Sequence, residues 1–148
     1  MKAQPVDPEH YRKLERMYQS APINQFFAPA LTVSQGQARV VIEVEPKFFH
    51  AAGAAHGALY FKALDDAAYF ATNSLVSDVF VLTINFTTYL ERPVSSGAIT
   101  CLGQVVMAAR NLFIAESRIT DHKGREIARG SGHFVKGNIA LSSEIGYV

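Results

Sequence analysis

The chain has 148 residues, of which 49% are hydrophobic and 18% charged, and this length and composition are typical of one folded domain with a real core. The net charge of +1 gives no electrostatic reason to bind nucleic acid or an anionic membrane surface. The single cysteine, Cys101, excludes an internal disulfide, and the five histidines show no metal-ligand spacing. No signal-like apolar core or membrane-length apolar run is found, which favours a cytoplasmic protein without a membrane partner.

Helical signals come first along the chain. Asp7 followed by Pro8 is a favourable N-cap and first helical position, and apolar residues recur at helical spacing as far as about Ser20. A short second turn after Pro22 completes a predicted N-terminal helical extension over about residues 7–28. Two alternating segments, 31–33 and 38–44, then predict a β-hairpin.

The segment from about His56 to Val76 predicts a helix that is apolar on nearly all sides and therefore buried. Two adjacent carboxylates, Asp65 and Asp66, lie in its middle, and burying a carboxylate is costly unless it is paired or hydrogen-bonded. Lys62 precedes them at helical-neighbour spacing, so it can pair with either one. The pattern predicts one carboxylate that is paired with Lys62 and one that is either exposed to solvent or functional.

After this helix the apolar period changes to two. A strand from about Phe80 carries Thr83 on its polar face, and Pro93 closes the segment. Segments 98–108, 112–120 and 126–135 predict three more strands, and Gly130 and Gly132 share one face of the last, where we expect close packing against the helix. Strands joined by short turns pair antiparallel, so the order predicts an α+β fold with one antiparallel sheet wrapped around one long central helix.

Four motifs stand in this order of elements: HAAGAAHGA at 50–58 continuing to Asp65, TTYLERP at 87–93, ARNLF at 109–113 and RGSGHF at 129–134. Together they resemble the hotdog-fold thioesterases, most closely the PaaI-type branch of the 4-hydroxybenzoyl-CoA thioesterase superfamily, over roughly residues 30–136. His50 stands where that family has an asparagine, and Ala58 where it has a second glycine. The resemblance implies one hotdog domain over residues 1–148 that hydrolyses an acyl-CoA or aryl-CoA thioester without metal or other cofactor.

The family spacing selects Asp65 as the catalytic carboxylate, acting on water as a general base or on the thioester carbonyl as a nucleophile, and the sequence leaves both routes open. Asp66 better suits an ion pair with Lys62 or a subunit contact. Thr83 matches, by its distance from Pro93, a hydroxyl that positions water in relatives. Because arginine suits phosphate recognition, Arg110 is the first candidate for the phosphates of CoA, followed by Arg129 and Lys136.

Gly57 opens the predicted helix, where the first N–H groups lack internal partners and the helix dipole favours negative charge. This position and the N–H of Ala58 predict an oxyanion hole for a tetrahedral intermediate. Gly57 and Asp65 are eight residues apart, which is roughly 12 Å along a helix, so one carbonyl carbon cannot reach both. The site must combine Gly57 of one subunit with Asp65 of another, as in the family, which predicts a homodimer or a dimer of dimers.

The two loop histidines and the overall function have alternatives. His50 could donate to the thioester carbonyl, protonate the leaving thiolate, or cap a backbone carbonyl in its own loop. His56 is expected to fix the loop through its ring nitrogens. The apolar acyl pocket is expected to include some of the helix aromatics Tyr60, Phe61, Tyr69 and Phe70. The alternative to a hydrolase is a hotdog module that holds an acyl thioester without turnover. The change at position 50 favours this module, and the intact Asp65 opposes it. A hydratase ranks last, because the loop before the helix lacks an Asp followed five residues later by a His.

Overall fold

The computed structural model describes residues 7–148, and the part of the N-terminal stretch before Asp7 lies outside the described residues. Its elements are α1 (Pro8–Ser20), α2 (Ile23–Phe27), β1 (Ala30–Ser34), β2 (Gln37–Glu43), α3 (Gly57–Asn73), β3 (Val79–Leu90), β4 (Ala98–Ala108), β5 (Leu112–Thr120) and β6 (Glu126–Ala140), with short 3-10 turns at Pro46–Phe48 and Ser143–Ile145. Within residues 7–148, no helix has the length and apolar character needed to cross a membrane.

The six strands form one antiparallel sheet in the order β1-β2-β4-β5-β6-β3. Helix α3 packs against this sheet, and its apolar side chains join those of the strands in the core. The predicted architecture, one antiparallel sheet around one long helix preceded by an N-terminal helix, is confirmed. β1 and β3 are the two edges of the sheet, and β3 is by far the longer edge.

Helix α1 begins where the sequence predicts. The Asp7 side chain accepts a hydrogen bond from the Glu9 backbone N–H at 2.9 Å, and Pro8 occupies the first helical turn, where its missing N–H costs nothing. The buried face of α1 carries Leu14 and Tyr18 and packs beside β1 and over one side of α3. The N-terminal extension is therefore part of the packed structure around α3.

Helix α3 is shaped by its ends and by one glycine of the sheet. It ends at Asn73, short of the predicted Val76, because the Asn73 amide donates to the Val76 carbonyl and its oxygen accepts from the Val81 N–H, which turns the chain into β3. A Cβ atom on Gly103 of β4 would lie 2.2 Å from the Ala67 carbonyl oxygen, so only glycine lets the strand approach the helix this closely.

Strand β3 departs from the simple alternation predicted for it. A bulge between Thr83 and Asn85 shifts its register against β6, and an extra residue exchanges the faces of the residues that follow. Thr83 was expected on the polar face of the strand, yet before the bulge Val81 and Thr83 face α3, and the Thr83 hydroxyl reaches the partly buried carboxylate of Asp65. Leu82 and Ile84 are exposed, whereas Phe86, beyond the bulge, packs against the core. Edge position and exposed apolar side chains make β3 an unusual surface strand.

The close packing expected at Gly130 and Gly132 exists, but its partner is different. A Cβ on Gly130 would lie 2.3 Å from Phe86, and a Cβ on Gly132 would lie 2.4 Å from the same ring. The two glycines therefore accommodate Phe86 of the neighbouring strand β3, and not the helix. Strand β6 also continues to Ala140, beyond the predicted end at Val135.

Candidate active site

The two adjacent carboxylates of α3 have different partners. The Thr83 hydroxyl donates to Asp65 Oδ1 at 3.0 Å. Asp66 Oδ2 accepts from Lys62 Nζ at 2.5 Å and from the Tyr18 hydroxyl at 2.6 Å. The expected ion pair between Lys62 and Asp66 is thus present, whereas Asp65 has no ion-pair partner among residues 7–148.

Burial raises the pKa of Asp65 from an ordinary 3.8 to about 6. The Thr83 hydrogen bond favours the ionised form and opposes this rise, the charge of Asp66 adds to it, and Lys62 opposes it. A carboxylate with a pKa near 6 is still ionised at neutral pH, yet it is a stronger base than a solvated one. This is the property required of a general base that works near pH 7.

Asp65 lines a cavity of about 310 Å³. Its walls come from α1, α2, α3 and the start of β3, and they are mostly apolar through Met17, Ile23, Phe70 and Phe80. Of the helix aromatics expected to line an acyl pocket, Tyr69 and Phe70 do so, whereas Tyr60 and Phe61 are not among the residues that line this cavity. Lys62 and Asp66 also line the cavity, as an ion pair, beside Asp65. A predominantly apolar cavity that contains an unpaired carboxylate suits an apolar group attached to a reactive carbonyl.

Nothing in the sequence indicates that the N-terminal extension contributes to this cavity. The spacing of Met17 and Tyr18 in α1 predicted only a buried helix face, yet both line the cavity, and Tyr18 bonds to Asp66, 48 residues further along the chain. No local pattern could have revealed a contact over such a separation.

The N-terminus of α3 offers one free donor. Among residues 7–148, no acceptor is found for the Gly57 N–H, whereas the Ala58 N–H donates to His56 Nδ1 at 2.9 Å. His56 therefore caps the helix, in agreement with the expectation that it fixes the loop. A substrate oxygen can reach Gly57 directly, but it would have to displace the imidazole from Ala58.

The other predicted residues lie apart from Asp65 within one copy of the chain. His50 Nδ1 accepts from the Ala52 N–H at 3.1 Å inside the loop before α3. Arg110 is exposed in the turn between β4 and β5. The strand register places this turn at about the same height along the strands as Thr83. Across the sheet the turn and Thr83 are two to three strand spacings apart, or roughly 10–14 Å.

The structure therefore brings Asp65 and Thr83 into contact in the middle of α3, while His56, Gly57 and Ala58 lie at the N-terminal end of the same helix. Nowhere in the described residues do three or more His, Cys, Asp or Glu side chains cluster as metal ligands.

A family model described as the thioesterase superfamily matches residues 52–128, just over half of the chain. No curated protein sequence matches. Among solved structures, the Escherichia coli PaaI protein from the phenylacetic acid degradation operon is 17% identical with a TM-score of 0.82, and the match covers 90% of this chain and 97% of that one.

Two further structures are similar to the chain. A mutant thioesterase from Pseudomonas aeruginosa is 14% identical with a TM-score of 0.76, over 93% of this chain and 97% of that one. A mutant of the phenylacetic acid degradation protein PaaI from Thermus thermophilus is 18% identical with a TM-score of 0.72, over 79% of this chain and all of that one. At these identities the likeness establishes a shared fold.

Proposed function

The chain belongs to the thioesterase superfamily and has the hotdog fold, and from that premise we propose that it hydrolyses an acyl-CoA or aryl-CoA thioester to the free acid and CoA. Family and fold support thioester hydrolysis in general. The observation that carries the specific proposal is Asp65, a partly buried carboxylate with a pKa near 6 that accepts a hydrogen bond from Thr83 and lines a mostly apolar cavity.

In the general-base route, Asp65 takes a proton from water as the water oxygen attacks the thioester carbonyl carbon. The resulting oxyanion is stabilised by the free N–H of Gly57 and the positive end of the helix dipole. The carbon–sulfur bond then breaks, and the thiolate takes the proton from Asp65. In the nucleophilic route, an Asp65 oxygen attacks the carbonyl carbon and the carbon–sulfur bond breaks, which releases the CoA thiolate and leaves a mixed anhydride; water then hydrolyses the anhydride to the free acid and the Asp65 carboxylate. Both routes require Asp65 to be ionised before attack.

A second copy of the chain is needed to bring the two groups together. Thr83 lies beside Asp65 and Leu90 lies beside Gly57, which shows that helix α3 and strand β3 run in opposite directions. If the β3 edges of two copies pair antiparallel about residues 86–87, residue 83 of one copy comes opposite residue 90 of the other. Asp65 then lies near Gly57 of the partner subunit.

The surface of β3 supports this pairing. β3 is an edge strand with unpaired backbone groups on one side, and its Ile84 and Leu90 side chains are 59% and 53% exposed. Such an edge is a ready template for another strand, and burying its apolar side chains would stabilise the pair. We propose a homodimer with two equivalent sites, or a dimer of such dimers, in which Arg110 contacts the phosphates of CoA.

The proposal is tested by assaying the wild-type protein on a panel of acyl-CoA and aryl-CoA thioesters, beside Asp65→Asn and the matched neighbour Asp66→Asn. Asp65→Asn should lower kcat by at least about 10²-fold, the scale of lost acid–base catalysis, with the fold intact. Asp66→Asn should cost far less activity, because an amide still accepts from Tyr18 and Lys62. Wild-type protein that binds the thioesters without turning them over would instead support the binding-module alternative.

A further inference from the structure

Phe61 differs from the other large apolar residues of α3 because its ring is exposed. Its exposed fraction is 46%, whereas the other large apolar side chains of this helix are at most 8% exposed. A single exposed apolar side chain needs no explanation by itself. The place of Phe61 in the helix, however, relates it directly to the proposed active site.

Phe61 lies midway between the two groups that the proposed site combines. Gly57 precedes it by four residues and Asp65 follows it by four, so all three lie on one face of α3. Along the helix axis, each of the two is about 6 Å from Phe61. Phe61 is therefore at the centre of the helix face that has to meet the partner subunit if Asp65 and Gly57 are to share a site.

The edge strand beside the helix has its midpoint at the same place. In the antiparallel pairing of two β3 edges, residue 83 of one copy lies opposite residue 90 of the other, so the two-fold axis crosses the strands between residues 86 and 87. The ring of Phe61 packs edge-to-face on the ring of Phe86, with 5.9 Å between the ring centroids. The register follows from the neighbours of Asp65 and Gly57 alone, and the ring contact agrees with it independently.

We propose that the Phe61 rings of two copies meet at this two-fold axis, each supported by a Phe86 ring. Phe61 is then the residue that positions Asp65 against Gly57 of the partner subunit. An axis at Phe61 brings the partner's Gly57 to the height of Asp65, because both lie about 6 Å from the axis along the helices. Phe86 is held over the two glycines of β6, so it gives each Phe61 ring a fixed support. Aromatic rings that meet edge-to-face or offset add to the stability gained from burial.

A second copy of the chain is the occupant that fits this face. The exposed ring of Phe61 continues the exposed edge of β3, whose Ile84 and Leu90 side chains belong to the proposed dimer interface. A two-fold axis places the same residue on both sides of the contact, so one phenylalanine in the sequence becomes a matched pair. The pair also separates the two active sites, which lie on either side of it, about 12 Å apart along the helices. The inference rests on the proposed hydrolysis at a shared site, and two experiments test it separately from that function.

Cross-linking tests the position of the axis without any assay of activity. A residue beside a two-fold axis comes close to its own copy, so Phe61→Cys should form covalent dimers with a bismaleimide that has a two-carbon spacer. Ile84→Cys is the matched control, because residue 84 is exposed in the same interface but lies opposite residue 89. Two copies of residue 84 are then roughly five residues apart along the paired strands, or about 17 Å, beyond the reach of the reagent. Cys101 is buried, so the wild type should stay uncross-linked.

Kinetics test the positioning role. Phe61→Ala should weaken the dimer at least about 100-fold, because each dimer loses two central rings. At protein concentrations where sedimentation shows the variant to be dimeric, its kcat should remain about tenfold lower with KM unchanged, since a shift of about 1 Å between reacting groups can cost about 10²-fold. Phe61→Leu keeps most of the bulk and should recover most of the kcat. Phe26→Ala is the control, because Phe26 is 48% exposed on α2, and its loss should change neither the dimer nor kcat.

The inference is wrong if Phe61→Cys forms no covalent dimer, if Ile84→Cys forms one as readily, or if dimeric Phe61→Ala has the wild-type kcat. A wild type that hydrolyses no thioester, together with efficient cross-linking of Phe61→Cys, would refute the proposed function but support the axis at Phe61. A wild type that hydrolyses thioesters without that cross-link would support the function and refute the axis.

Discussion

Replacing Thr83 with valine keeps the shape of the side chain and removes the one hydrogen bond that the Asp65 carboxylate accepts within residues 7–148. That bond, at 3.0 Å, favours the ionised carboxylate and so opposes the effect of burial on its pKa, which is about 6. Losing it should raise the pKa further. A hydrogen bond to a charged group is worth about 1.5–3 kcal/mol, and one pKa unit corresponds to about 1.4 kcal/mol.

We take the lower end of this range, because the bond is of ordinary length and Asp65 is not fully enclosed, and expect a rise of about one unit. At pH 6, about half of the wild-type carboxylates but only about a tenth of those in Thr83→Val are then ionised, so kcat/KM should be about fivefold lower in the variant. At pH 8 both are largely ionised, and the ratio attributable to ionisation should approach one.

The assay is the loss of thioester ultraviolet absorbance between pH 5 and pH 9, which needs no thiol reagent. Thr88→Val is the control, since Thr88 lies on the same strand but outside the cavity. A purely positional role of Thr83 would lower kcat/KM equally at every pH. An acid limb at the same pH in wild type and Thr83→Val would refute the claim that this bond sets the ionisation of Asp65.

Three further outcomes are expected. Co-expressing Asp65→Asn with Gly57→Pro should recover about a quarter of wild-type activity, since about half of the dimers are mixed and carry one good site of two. Proline fits the first helical position and removes the Gly57 N–H, but its Cβ would lie 3.1 Å from Leu90 Cδ1, so both parents must first be shown to be folded and dimeric. Mixed dimers confirmed by mass but no more active than the parents would exclude a shared site. His50→Asn should keep its activity and pH profile, because an asparagine oxygen can accept the same loop N–H, and a changed profile would assign His50 to the chemistry. Lys62→Met should lower the free energy of unfolding by about 3 kcal/mol in urea titrations, since it leaves the Asp66 charge without its ion pair in a largely buried site. A loss below about 1 kcal/mol would show that the Tyr18 hydrogen bond is enough to stabilise the Asp66 carboxylate.

The parts of the fold that depend on residues close together in the sequence could be predicted from the sequence. The N-cap at Asp7 and the bounds of β4 and β5 follow from local capping and alternation, and the structure has them where they were predicted. The long helix α3 follows from its apolar composition. The family spacing within this helix separates Asp65 from Asp66, and the structure gives Lys62 to Asp66 in agreement with that separation.

Only the tertiary structure decided what each side chain meets. The bulge in β3 allows both Thr83 and Phe86 to face inward, although strict alternation would put them on opposite faces. Phe86 fills the space over the two glycines of β6. Pairing between strands sets this register, and a single strand cannot. The contact of Tyr18 with Asp66 arises where distant segments pack together. Local patterns fix which residues are apolar or helical, whereas the burial that raises the pKa of a carboxylate is a property of the whole packed chain.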